Sequence, residues 1–235
     1  MKHRFYNKSE KSQKRFIILI SIAVFMVFAF TLAVAFLTKQ YWISILVAPL
    51  IMIVAPFIDT PMGKRSGKLV YYSPMFITER LDNDKTVFHG GTLFDYFYVL
   101  DFNLPGYART QWILLGYLKG LLNFIEKHQD AVHDQMVLEG TSYILQDNAA
   151  KKLGFHPIST EGIQQLILLA NFPTLTIAYS LSKNKLSFPD LRKIKTYRTS
   201  LKQLREKQPF IKSLHNSLEK KIKAPLARGS YNPTN

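Results

Sequence analysis

Two uncharged apolar runs near the amino end, separated by three residues, constrain this chain more than any other feature. Residues 16–37 are 22 positions without a charge; Thr38, Lys39 and Gln40 follow, and residues 41–58 are 18 more. At about 1.5 Å per helical residue, each run is about long enough to cross a ~30 Å hydrocarbon layer. A link this short makes the two helices antiparallel neighbours. The expectation is a transmembrane helical hairpin (16–37 and 41–58) with the rest of the chain tethered to it. Ala33-Val34-Ala35 has the small-x-small pattern of a signal cleavage site, but the apolar stretch is too long and a second run follows at once. Pro49 and Pro56 are tolerated in membrane helices and predict a kink or local unwinding. No acidic or basic residue interrupts either run, which argues against an ion pathway.

Charge sets the orientation. Residues 1–15 hold six basic side chains against Glu10, and Lys64, Arg65 and Lys68 follow the second run. The link holds only Lys39. Short basic flanks stay on the cytoplasmic side, so both termini are expected in the cytoplasm of a bacterial-type inner membrane. The net charge of +15 sits at the ends, +5 in residues 1–15 and +10 in residues 185–235, while 16–63 and 64–184 each balance to zero. Basic ends beside an anionic leaflet point to lipid headgroups as a partner. Another membrane protein or a second copy is compatible with the tether, and no nucleic-acid motif is present. With no cysteine, the chain has no disulfide, thiolate metal site or cysteine nucleophile.

After the hairpin, the pattern predicts an α/β (α+β) domain over 64–184 with a small mixed sheet. Residues 59–63 read as a turn leaving the membrane. Residues 68–78 read as a strand broken near Pro74, and 82–84 as a turn before a second strand over 85–89. Residues 93–100, LFDYFYVL, read as a strand by residue type; the rival is a short helix, because Thr92 and Asp95 fit a capping box. Pro105-Gly106 opens a long helix over 108–127, apolar on most faces, with Gly116 and Gly120 placed for close approach. A strand over 136–145, a short helix over 148–153 closed by Gly154, and an extended 155–158 follow. Residues 162–181 are a third apolar run; spanning would strand the +10 tail outside, so a buried or membrane-grazing helical pair broken at Pro173 is expected. Residues 185–223 repeat apolar positions every three or four residues and read as two basic amphipathic helices hinged at Pro209. Their stripe either meets lipid or packs on the domain. Residues 224–235 read as a disordered tail.

Chemistry-bearing residues are few. Arg109, at a helix start beside the Pro-Gly loop, is the best anion-binding candidate. His89, before Gly90-Gly91, is a candidate general base beside Asp95 or Asp101. Asp95 on a strand would share a face with Phe97 and Val99, and a buried carboxylate there needs a donor, a tyrosine hydroxyl or Arg109. His128 and His133 are five apart and do not share a helix face as metal ligands, and no metal site is expected. No Walker loop, Rossmann fingerprint or nucleophile elbow is present.

The succession strand, Pro-Gly loop, long helix, strand, short helix ending in Ala149-Ala150-Lys151-Lys152-Leu153-Gly154-Phe155 resembles the central part of the GNAT acyltransferase superfamily, over residues 85–158. The resemblance implies acyl transfer from an acyl-coenzyme A donor. The pyrophosphate would be held at the start of the long helix by Arg109, Thr110 and Gln111. Here no glycine follows Arg109, and Ala150 stands where the family often has its general-acid tyrosine. Two functions are therefore carried forward: an interaction or scaffold module docked on the anionic leaflet, and a membrane-tethered GNAT-like acyltransferase.

Overall fold

The computed structural model describes residues 2–82, 84–129, 134–160 and 162–227. Helix α1 (Glu10–Thr38) is capped by Ser9, whose side chain accepts the Ser12 amide, and ends at Lys39 in the left-handed conformation. A 3-10 turn (Tyr41–Leu46) leads into α2 (Val47–Arg65). Both α1 and the stretch Tyr41–Arg65 are long and apolar enough to cross a membrane, and almost none of their most apolar windows is buried by the protein. Pro56 lies inside α2. A proline supplies no amide to the carbonyl four residues back, here that of Met52. The Thr174 hydroxyl, from a later helix, donates to that carbonyl at 2.8 Å. The turn expected at 59–63 is not formed, and α2 continues through it to Arg65. Thr60 and Pro61 are buried there, and Thr60 Oγ1 donates to Thr92 Oγ1 at 3.1 Å, so tertiary packing outweighs the local turn signal.

The rest is one mixed α/β unit. Strands β1 (Leu69–Ser73), β2 (Phe76–Glu79) and β3 (Lys85–Gly90) form an antiparallel meander. Helices α3 (Leu93–Val99) and α4 (Gly106–Lys127) cross to β4 (Val137–Ser142), which pairs parallel to β3. After α5 (Asp147–Lys152) and β5 (His156–Ile158) come α6 (Gly162–Ala170) and α7 (Phe172–Lys183). Strand β6 (Lys195–Ser200) then inserts between β4 and β5, and α8 (Leu201–Ala227) closes the described chain. The six-stranded order is β1-β2-β3-β4-β6-β5. The parallel ladder covers residues 85–87 against 137–139, although both strands run three residues further. Beyond it, β3 pairs with β2 and β4 with β6, which opens a wedge between β3 and β4.

Three differences from the sequence pattern have physical causes. Residues 93–99 are a helix and not a strand. Thr92 and Asp95 complete the capping box in both directions, and helical spacing buries Phe94 and Tyr98 on one side and Leu93, Tyr96 and Leu100 on the other. The tail does not form two helices hinged at Pro209. Residues 195–200 are a sheet strand, and one helix runs from Leu201 through Pro209. Leu204 and Ile211, both fully buried, pack on either side of that proline and outweigh its roughly 3 kcal/mol penalty. The boundary expected at 184/185 therefore falls inside the α/β unit, with the apolar stripe of α8 against α4.

The main core joins Phe76, Leu118, Phe124, Leu138, Tyr197, Leu201 and Ile211. Close approach needs Gly120, where a Cβ would sit 2.2 Å from that of Phe76. A second core, under α3 and α7, gathers Met75, Leu93, Leu100 and Ile113 with Ile53 and Phe57 of α2. The domain thus shares apolar contacts with the lower end of the hairpin. Thr174→Val keeps the shape at that joint and leaves the Met52 carbonyl without its donor. It should destabilise the full chain by about 1–2 kcal/mol, read as a lower melting temperature in lipid vesicles. An unchanged melting temperature would mean that the bond carries no weight.

Candidate functional site

The most completely built polar centre lies where residues 2–6, the end of α2, β1 and the start of α3 meet. Its hub is Asp95, which is fully buried. One carboxylate oxygen closes the α3 cap, accepting from the Thr92 amide at 2.7 Å and the Thr92 hydroxyl at 2.8 Å. The other accepts from the Tyr71 hydroxyl at 2.8 Å and lies 3.0 Å from His3 Nε2. The tyrosine donor expected for this carboxylate is Tyr71. Tyr6 donates onward to the Tyr71 hydroxyl at 3.4 Å, and the Lys64 ammonium sits 3.4 Å from the centre of the Tyr6 ring. Burial, first, and the charge of Asp95, second, push the Tyr71 hydroxyl far above its ordinary range. It therefore stays a donor across physiological pH. A buried carboxylate is tolerated because donors surround it.

The same amino-terminal segment grips the other end of α3. The Arg4 guanidinium donates to the carbonyls of Phe97, Tyr98 and Leu100 at 2.7, 3.0 and 3.1 Å, satisfying groups that a helix end leaves open. Phe5, fully buried, fills the space between Phe94, Tyr98 and Phe16. His3 Nδ1 is buried without a partner, and the ring lies among Tyr6, Phe94 and Tyr98. A His–Asp pair enclosed this way has no room for a substrate. Its chemical capacity is to fasten residues 2–6 to α3. The sequence pattern showed this segment only as a basic flank. The interleaved aromatic residues of His3-Arg4-Phe5-Tyr6 were the signal available in it.

The remaining candidates separate. His89 faces neither Asp95 nor Asp101; its Nε2 lies 2.9 Å from a Glu79 oxygen in an exposed pair on neighbouring strands. That hydrogen bond holds the Glu79 carboxyl below its ordinary value, in spite of partial burial. Arg109 is buried, and its guanidinium donates to the carbonyls of Leu104, Leu181 and Phe102 at 2.8, 2.8 and 2.6 Å. Thr110 turns its hydroxyl to Gly106 of its own helix at 2.9 Å. Gln111 lies on the next position of α4, half-buried. The start of α4 is closed from outside by the end of α7. A Cβ on Gly106 would lie 2.0 Å from the Lys183 carbonyl oxygen. A coenzyme A pyrophosphate does not fit at helix amides covered in this way. The wedge between β3 and β4 is occupied as well. The Phe88 ring lies against Gly140, and the Tyr117 hydroxyl against Gly90, close enough that a Cβ on either glycine would clash.

Among the described residues, no group of three His, Asp or Glu side chains is placed to hold a metal ion. His133 lies outside the described residues, and His128 Nδ1 is 2.9 Å from the Phe124 carbonyl oxygen. An open depression of about 420 Å³ lies beside the Lys-Leu-Gly-Phe ending, lined by Asn148, Lys151, Lys152 and Lys207. No family model, curated protein or solved structure matches this chain.

Removing the hub should release the segment. Asp95→Ala strands the donors of Tyr71, Thr92 and His3 and should cost on the order of 3 kcal/mol; His3→Ala should cost about 1–3 kcal/mol. In both variants, limited trypsin digestion should cut after Arg4 at least about tenfold faster than in the parent chain. Equal rates would show that residues 2–6 are not held by this centre.

Proposed function

We propose that this chain is a membrane-anchored interaction module. Its α/β unit would stand on the cytoplasmic side of a bacterial-type inner membrane, against the anionic leaflet. The observation that carries the reading is the closure of the α4 start. There Arg109 is spent on three carbonyls and the Lys183 carbonyl sits against Gly106. That is where an anionic cofactor would have to enter. The buried centre at Asp95 likewise faces protein on all sides.

The charge pattern supports the leaflet as one partner. Lys202, Lys207, Lys212, Lys220, Lys221 and Lys223 are exposed on α8, while Leu201, Leu204, Ile211 and Ile222 are buried. The apolar stripe is used in packing, which leaves the lysines as the part that meets headgroups. Each lysine near an anionic surface contributes on the order of 1 kcal/mol. Exposed Phe210 and Leu214 on the same helix suit a protein partner, either another membrane protein or a second copy.

The second reading, a GNAT-like acyltransferase, draws support from the β3–α4–β4–α5–β5 succession, with β3 and β4 parallel and opening into a wedge. Against it stand the filled wedge and the two helices between β5 and β6, where the family continues with strands. One ligand decides between them. Millimolar coenzyme A should leave the melting temperature of the full chain unchanged, whereas a ligand bound only to the folded form would raise it. Arg109→Ala should by itself destabilise the chain by about 2 kcal/mol or more, read as a lower melting temperature, because three carbonyls lose their donor. A rise with coenzyme A that Arg109→Ala abolishes would establish the transferase reading instead.

The leaflet contact has its own readout. In vesicles containing anionic lipid, tryptic cleavage at Lys220, Lys221 and Lys223 should be slower than in neutral vesicles, and molar salt should remove the difference. Equal cleavage in both lipids would remove the leaflet from the proposal.

A further inference from the structure

We infer that α6 and α7 form a re-entrant helical hairpin that dips into the hydrocarbon of the same leaflet, so that the exposed face of α6 is covered by acyl chains. The inference rests on the reading of α1 and α2 as membrane-spanning. It starts from the bond between Thr174 and Met52. Met52 lies within the apolar run, twelve residues before Lys64, or about 18 Å along the helix. Asp59, seven residues and about 10 Å beyond Met52, is the first charged residue after the run, and Lys64 marks the headgroup level. Thr174, on the first turn of α7, therefore sits deep in the leaflet, where half the hydrocarbon thickness is about 15 Å.

Both arms are short enough to stay within one leaflet. Helix α7 has twelve residues, about 18 Å, and brings the chain back to Lys183, with Lys185 just beyond. Helix α6, with nine residues, descends from the sheet, where Gln164 Oε1 accepts from Thr141 Oγ1 at 3.0 Å. Its surface is mostly apolar, with Gln165 the exposed polar exception. None of its residues is buried, and Ile163, Leu166, Ile167 and Leu169 are all more than half exposed. Phe188, exposed, stacks on Phe172 at 6.4 Å and extends the apolar surface beside α7.

The tip is built to survive without water. Backbone groups at membrane depth must be satisfied within the protein. The Asn171 amide bonds to the Ile167 carbonyl at 3.0 Å, and the Asn171 side chain donates to the same carbonyl at 2.8 Å. The Leu175 amide reaches the Asn171 carbonyl at 2.9 Å. Pro173, in the first turn of α7, has no amide to leave open. Thr174 uses its hydroxyl on Met52. The side chains of Asn171 and Thr174 are thus paired within the protein, on α6 and α2.

The chain has no cysteine, so single cysteines can be labelled without background. The full chain carrying Leu166→Cys or Leu169→Cys would be labelled with an environment-sensitive fluorophore and placed in vesicles with brominated acyl chains. Phe30→Cys in α1 serves as the bilayer reference and Lys151→Cys as the aqueous one; all four positions are exposed. The expected result is quenching by bromolipid at 166 and 169 within about twofold of that at 30, with shielding from iodide in the buffer. Position 151 should show the reverse. Labels at 166 and 169 that behave like 151 overturn the inference, and so does shielding from iodide without bromolipid quenching, which would mean a protein cover. Failure at position 30 would instead remove the membrane-spanning reading of the hairpin, and the re-entrant hairpin with it.

Discussion

A proline in the second apolar helix leaves one carbonyl without its amide, and the placement of the domain depends on what answers it. Pro56 frees the oxygen of Met52, and Thr174 supplies the missing donor from more than a hundred residues away in sequence. An unpaired carbonyl away from water costs free energy, and α7 has to lie against α2 for its hydroxyl to answer it. Once α7 is held there, its other end falls beside the start of α4. The Leu181 and Lys183 carbonyls then meet Arg109 and Gly106. The two apolar helices, the helical pair and the sheet are thereby coupled through backbone carbonyls that the Thr174 and Arg109 side chains answer.

A second constraint acts from the amino end. Residues 2–6 precede α1, yet they bind α3 at both ends, through His3 on Asp95 and through Arg4 on the last carbonyls. The hairpin is therefore joined to the domain on both sides of its helices. A tether of this kind is stiff. It suits the docking module proposed above, which would present the α/β unit to the leaflet in one orientation. Within this frame the charged residues divide by environment. Asp95 and Arg109 are buried and surrounded by partners, while Lys202, Lys207, Lys212, Lys220, Lys221 and Lys223 of α8 are exposed, Lys223 pairing with Glu219 of its own helix.

Arg109 illustrates how a single residue reads differently at the two levels. At a helix start beside a Pro-Gly loop it has the position of a phosphate ligand. In the fold it is a clamp on three carbonyls, because the end of α7 brings that of Leu181 beside those of Phe102 and Leu104 and a buried guanidinium has donors to match. No glycine follows Arg109 for close approach of a pyrophosphate, and Gly106, before it, serves the close approach of another helix end.

What the sequence by itself determined is whatever depends on local chemistry and simple periodicity. The two apolar runs, the long α4, the short α5 stopped at Gly154, and the break at Pro173 all follow from composition, period or a terminating residue, and they stand in the structure. So does the mixed sheet, because alternation and turn residues mark strands such as 85–90 and 137–142. Tertiary structure decided the rest. Residues 93–99 have strand-like side chains, but a capping box closed by a carboxylate with distant partners holds them helical. Residues 195–200 carry a helical spacing, but a vacant place between β4 and β5 makes them a strand. The role of His3 was not legible at all, since its partner lies 92 residues away and only burial makes that bond matter. Local preferences amount to a few tenths of a kcal/mol per residue, whereas one buried group left unpaired costs about 1–3 kcal/mol, so long-range partners win wherever the two disagree.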